Sequence, residues 1–220
     1  MKKDSPQSIV CSPQKKKIIL SLFLWVLIIL LSGCAKQDIK NVDSKGINIV
    51  CLGDSLTYGY GVDKGEDYPS LLAHMVNVPV INAGVDGDTS IEGLKRFNTD
   101  VLEKKPLLVI IEFGGNDFLK QVPMKVTFSN ITEMIEKAHS IGAMVALIDI
   151  SAGMLFAEYR VQLNKLAKQK GAILIPSILE GIVTNPSLKS DFLHPNNKGY
   201  SVIAQRVYRG ISPYFQKYKK

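Results

Sequence analysis

The chain has 220 residues, 46% hydrophobic and 21% charged, a composition that fits one globular domain and excludes collagen-like, disordered and multi-span membrane classes. Its net charge of +7 is uneven: residues 1–33 hold five lysines and one acid, and the other 187 residues hold 22 bases against 19 acids. That mild, scattered surplus argues against a nucleic-acid footprint.

Lys15-Lys16-Lys17 precedes Ile18 to Leu31, fourteen residues in which only Ser21 is polar; Ser32, Gly33 and Cys34 follow. As a helix such a run spans about 21 Å, short of a hydrocarbon core of about 30 Å. The pattern is that of a cleaved export signal. Leu31-Ser32-Gly33-Cys34 resembles the lipobox of bacterial lipoproteins. That resemblance implies a signal peptide over 1–33, a diacylglycerol thioether on Cys34, and an exported lipoprotein held on a membrane of the cell envelope. Two acyl chains hold a protein on a bilayer far better than one. A plain signal peptide and an uncleaved, tilted anchor remain alternatives. Residues 34–46 then read as the lipidated cysteine and a polar tether. Cys11 falls in the signal and Cys51 in an apolar run, so no disulfide framework is expected and Cys51 reads as a core residue.

The domain is expected over residues 47–220. Apolar runs at 47–52, 78–81, 107–113, 143–150 and 172–175 alternate with helical patterns at about 67–76, 89–104, 128–141, 157–170 and 196–215. Near-continuous strands separated by amphipathic helices predict an α/β fold of three layers, with a mainly parallel five-stranded sheet between helices. Gly142 and Gly171 sit where helices should end, and Pro79 and Pro106 where strands should begin.

Ligands of open α/β sheets bind beyond the carboxyl ends of the strands. The residues there are Gly53-Asp54-Ser55-Leu56, Asn82 to Thr89, Gly114-Gly115-Asn116-Asp117 and the loop from Ser151. Ser55 is a candidate nucleophile that needs a base. His74 and His139 lie in helical patterns and read as structural or surface residues. His194, in Asp191-Phe192-Leu193-His194-Pro195, lies beside a carboxylate three residues earlier, which can accept its Nδ1–H and leave Nε2 for the serine. A helix N-cap is the other reading of Asp191 or Asn196. Backbone N–H groups of Ser55 and Gly87 and the amide of Asn116 can converge on an oxyanion, although an Asx turn also explains Asn116.

In order and wording these blocks resemble those of the SGNH (GDSL-type) hydrolases, from about residue 47 to 215. Val80-Ile81-Asn82-Ala83, Gly87-Asp88-Thr89-Ser90 and Glu112 to Asp117 are most similar to the exported bacterial arylesterase, acyl-CoA thioesterase and lysophospholipase type. The resemblance implies the flavodoxin-like SGNH fold and a triad of Ser55, His194 and Asp191. It further implies an oxyanion hole from Ser55, Gly87 and Asn116, supporting roles for Asp54, Gly84 and Asp117, no metal and no cofactor. The expected substrate is a small-molecule or lipid acyl ester or thioester. Removal of O-acetyl groups from an envelope polysaccharide is the alternative, and a non-catalytic binding lipoprotein a third.

Two departures stand out. The loop Ser151 to Phe156 does not match the thioesterase type, and Asp86 sets a charge beside Gly87, where it should face solvent or a cation. Met154, Leu155 and Phe156, with Phe118 and Leu119, suit either an acyl-chain wall or the core. Lys217, Lys219 and Lys220 read as a solvated helix end or a headgroup contact. Rival chemistries lack their signatures: there is no G-x-S-x-G elbow, no phosphate loop, and no two histidines closer than 55 residues.

Overall fold

Five apolar runs become five strands, the central ones apolar on both faces and the edge strand β2 only half-buried, with Asn82 exposed. These are β1 (Asn48–Gly53), β2 (Val80–Gly84), β3 (Pro106–Glu112), β4 (Met144–Ile148) and β5 (Ile173–Ile175). They pair in parallel in the order β2-β1-β3-β4-β5, with Val50 opposite both Ile81 and Val109, and Leu147 opposite Leu174. The computed structural model describes residues 38–154 and 156–215. The expected signal peptide, Cys34, Leu155 and the terminal lysines lie outside the described residues.

Alternation along β1 sends Ile49 and Cys51 to one core layer and Val50 and Leu52 to the other. The first layer is closed by Tyr68 and Leu72 of α2 (Tyr68–Ala73) and by Tyr200, Ile203 and Val207 of α8 (Asn197–Ile211). The second is closed by Ile131, Met134 and Ile135 of α6 (Met124–Ser140) and by Leu163 and Leu166 of α7 (Ala157–Lys170). Each fully buried aliphatic side chain contributes roughly 1.5–3 kcal/mol, so packing on the sheet, more than helix propensity, holds these helices. Cys51 is a buried free thiol, as its run implied. Gly171 closes α7 at φ +65°, where Ala172 N–H donates to Ala167 O at 2.9 Å.

Several boundaries differ from the sequence reading. β2 starts at Val80 and runs to Gly84, so Asn82–Gly84 belong to the strand and not to the loop after it. The helix expected over 89–104 divides into α3 (Ser90–Lys95) and α4 (Phe97–Asp100), followed by a 3-10 turn at Leu102–Lys104. The break falls at Arg96, whose guanidinium turns inward to Gly53 O, Ala83 O and Asp88. Two short helices, α1 (Ser55–Tyr58) and α5 (Gly115–Leu119), are too brief to show a period. Residues 38–46, expected as tether, lie on the domain instead. Ile39 is buried, Lys40 N–H donates to Gly171 O, and Asn41 Nδ2 donates to His139 O and Ala143 O.

Candidate active site

The carboxyl ends of β1, β2 and β3 meet at Ser55. Asp54 caps α1 by accepting from Leu56 N–H at 3.1 Å, which makes Ser55 the first residue of that helix. A first-turn N–H has no partner inside its helix, so the Ser55 N–H is left for a ligand. Gly84 lets the end of β2 press against α1, since a Cβ there would collide with the Tyr58 backbone. Beneath the turn, Glu112 is fully buried, and its Oε2 accepts from Asp54 N–H at 3.3 Å and Thr57 Oγ1 at 3.0 Å. Burial, with Asp54 adjacent, pushes the Glu112 carboxyl well above the usual range and favours its neutral form. Burial also pushes Asp54 up to about 6, against the pull of Leu56 N–H and Glu112. From α8, the Tyr200 hydroxyl donates to Tyr60 O at 3.1 Å and Ser55 O at 3.4 Å, tying the last helix to the turn.

His194 arrives on the loop before α8, closed by the antiparallel bridge between Lys189 and Pro195. Asp191 Oδ1 accepts from Leu193 N–H and His194 N–H, both at 2.7 Å, while Oδ2 lies 2.8 Å from His194 Nδ1. His194 Nε2 lies 3.0 Å from Ser55 Oγ. Asp191 thus reaches the imidazole from an irregular loop, and the helix N-cap is Asn196, which accepts from Lys198 and Gly199 N–H. Desolvation raises the Asp191 carboxyl, but the backbone and ring N–H of His194 outweigh it and hold the group at about 2. It is ionised at neutral pH, and its acceptance of Nδ1–H leaves Nε2 to take the serine proton. The Tyr60 ring lies 4.4 Å from the imidazole and backs it. His74 is an exposed residue ending α2. His139 is buried at the far end of the sheet, where burial lowers it to about 4.

Gly87 stands at φ +78°, with its carbonyl accepting from Lys120 Nζ at 2.6 Å. Asn116 lies in the first turn of α5, and its Nδ2 donates to Asp54 Oδ2 at 3.2 Å and Asp88 O at 3.1 Å. Both amide hydrogens are engaged, so Asn116 can donate to a ligand only by exchanging one of these bonds. Asp88 is held by Arg96 Nε at 2.7 Å. Asp117, fully buried, accepts from Ser90 N–H and Thr127 Oγ1, both at 2.9 Å, and from Ser90 Oγ, which pins α3 to α5. Asp86 is exposed at the cleft margin, as expected.

Ser55, Asn116 and His194 open on a cleft of about 420 Å³ walled by Phe118, Leu119, Ile150, Phe156, Leu179 and Val183. Phe118 and Phe156 meet edge to face, 5.1 Å apart. Of the residues expected as an apolar wall, Phe118, Leu119 and Phe156 line the cleft, whereas Met154 projects into solvent with 93% of its surface exposed. Arg160 braces the 151–156 loop through Ser151 Oγ at 2.7 Å and Asp149 at 3.5 Å. Glu112, Tyr60, Tyr200 and the Asp88–Arg96 pair escaped the sequence reading; only Glu112, a charge at the end of an apolar strand, carried a signal.

Residues 51–202 match the model of the GDSL-like lipase/acylhydrolase family. The chain belongs to that family. It is an ester hydrolase of the GDSL type, and its sheet and flanking helices match the family's solved structures. An arylesterase of Vibrio mimicus is 35% identical over 170 residues, which cover 72% of this chain and 85% of that protein. The psychrotrophic esterase EstA of Pseudoalteromonas sp., solved in a form inhibited by monoethylphosphonate, aligns with a TM-score of 0.68 at 28% identity, covering 77% of this chain and 99% of that one. A lipoprotein of Bacillus subtilis, YqeF, is 33% identical over 103 residues, 44% of this chain and 40% of that protein.

Proposed function

We propose that this family member is a serine esterase in which Ser55, His194 and Asp191 form the triad. The observation that carries the reading is the unbroken relay Ser55 Oγ to His194 Nε2 (3.0 Å) and His194 Nδ1 to Asp191 (2.8 Å). Ser55 Oγ attacks the ester carbonyl as its proton passes to Nε2. The tetrahedral oxyanion accepts from Ser55 N–H, Gly87 N–H and Asn116 Nδ2, the last exchanging its bond to Asp54 for one to the oxyanion. The imidazolium then protonates the leaving alcohol or thiol, and water attacks the acyl-serine by the same route. Asp54, Gly84 and Asp117 position this machinery through the contacts described above.

The apolar cleft supports short to medium acyl esters or thioesters as substrates, with the acyl chain against Phe118, Phe156 and Val183. The residues before the domain support an exported lipoprotein, with a signal peptide over 1–33 and lipid on Cys34. The likeness to YqeF supports the same assignment.

Hydrolysis of p-nitrophenyl acetate, butyrate and octanoate beside Ser55→Ala tests the proposal. Turnover should rise from acetate to butyrate or octanoate and fall at least about 10³-fold in the variant. Activity confined to acetate would replace the acyl-chain reading with O-deacetylation of an envelope polymer. Undiminished turnover in Ser55→Ala would remove the triad.

A further inference from the structure

The described chain begins at the end of the sheet opposite the active site. Lys40 N–H donates to Gly171 O, just before β5, and Asn41 Nδ2 donates to Ala143 O, just before β4. Ile47 N–H donates to Lys105 O and Asn48 Nδ2 to Lys104 O, just before β3. With Ile39 buried as well, residues 39–48 run along the amino ends of the strands. Three residues lie between Cys34 and Asp38, and the four steps of chain span at most about 14 Å at full extension. The strands themselves, at about 3.3 Å per residue, separate this floor from Ser55 by about 20 Å. A lipid on Cys34 therefore cannot reach a bilayer lying against the mouth of the cleft.

The floor also has a surface suited to a bilayer. Val42, Ile47 and Ile141 are 44%, 64% and 47% exposed, and Val42 and Ile141 share one concavity with Lys45 and Lys105. Lys40 and Lys104 are exposed beside it, with Asp38, Asp43 and Glu103 interleaved. Apolar side chains flanked by lysines suit the headgroup boundary, while the three acids keep the attraction weak enough to need a covalent anchor.

We propose that the amino-terminal edge of the sheet rests on the phospholipid surface and that the cleft opens away from it. The enzyme then takes acyl esters presented from the aqueous side, not the lipids of the leaflet that carries its anchor. This rests on the lipidation of Cys34 proposed above.

The test uses the full-length protein, purified from membranes and reconstituted in vesicles of phosphatidylethanolamine and phosphatidylglycerol carrying a nitroxide headgroup quencher. Mass measurement of the N-terminal peptide first establishes the lipid on Cys34. A fluorophore is then placed by Ile141→Cys or Met154→Cys; both sites are exposed and outside the catalytic machinery, while Cys51 is buried and its thiol pushed up by that burial. Quenching at 141 should exceed that at 154 at least threefold. Lysophospholipid in the enzyme's own vesicles should be hydrolysed no faster than in added, enzyme-free vesicles. Stronger quenching at 154, or none at either site in lipidated protein, would overturn the orientation while sparing the lipidation. A peptide without lipid would overturn both.

Discussion

The two halves of the relay are held in opposite ways. Ser55 stands on a buried turn whose supports, Asp54, Thr57 and Glu112, are 3% exposed or less and reach into the core. Asp191 and His194 stand on a loop that the solvent washes, where Asp191 has 44% of its side chain exposed and satisfies its own loop's N–H groups. The two carboxylates record the contrast: burial raises Asp54 to about 6, and hydrogen bonds lower Asp191 to about 2. The serine is thus placed by tertiary packing, and the imidazole by a short local hydrogen-bonded loop. Changes on the loop should fall on rate, whereas changes at the turn should fall on rate and stability together.

The largest effect that sharpens this contrast is Asp191→Asn. It keeps the size of the side chain but donates where the imidazole N–H needs an acceptor, so kcat should fall by about 10²–10⁴. The thermal midpoint should stay within a few degrees. A large drop in midpoint would mean that the loop is a structural support after all. Asn116→Ala should lower kcat by about 10²–10³ with KM nearly unchanged. A change confined to KM would assign Asn116 to substrate binding.

The turn side is tested by pH. An acid whose folded pKa is raised binds more protons folded than unfolded, so its ionisation lowers stability as pH rises from about 4 through 6. Asp54→Asn removes that titration. Its stability relative to the parent should therefore improve by roughly 1–3 kcal/mol between pH 4 and pH 7, as read from urea midpoints. A flat difference would show that Asp54 does not carry the raised pKa. Asp191 has the opposite sign: its stabilisation, present above about pH 4, fades as pH falls toward 2. The smallest effect is expected at the cleft wall, where Phe118→Ala should lower octanoate turnover about 3–10-fold more than acetate turnover. Equal losses would move Phe118 out of the acyl site.

The sequence revealed what is periodic or carried by a motif. The strands of the sheet were legible because Ile, Val and Leu occupy both faces, and Ser55, Asn116 and His194 because each follows a strand or precedes a helix. The supports were hidden because they act over long sequence distances. Arg96 reads as one more charge on a helix, yet it breaks that helix to bind the carbonyls at the ends of β1 and β2. Tyr200 reads as an apolar helix position, and nothing nearby in the sequence indicates that its hydroxyl reaches Ser55. The 38–46 segment reads as polar tether because Ile39 and Val42 are its only apolar residues, too few to show a period.

In the proposed triad His194 lies 139 residues beyond Ser55, and Tyr200, which fastens the serine's turn, comes later still. A ribosome delivers Ser55 well before its proposed base and its clamp. On the proposed assignment the nascent chain is catalytically silent until α8 has emerged and docked, and a product interrupted before that helix carries a serine with nothing to deprotonate it.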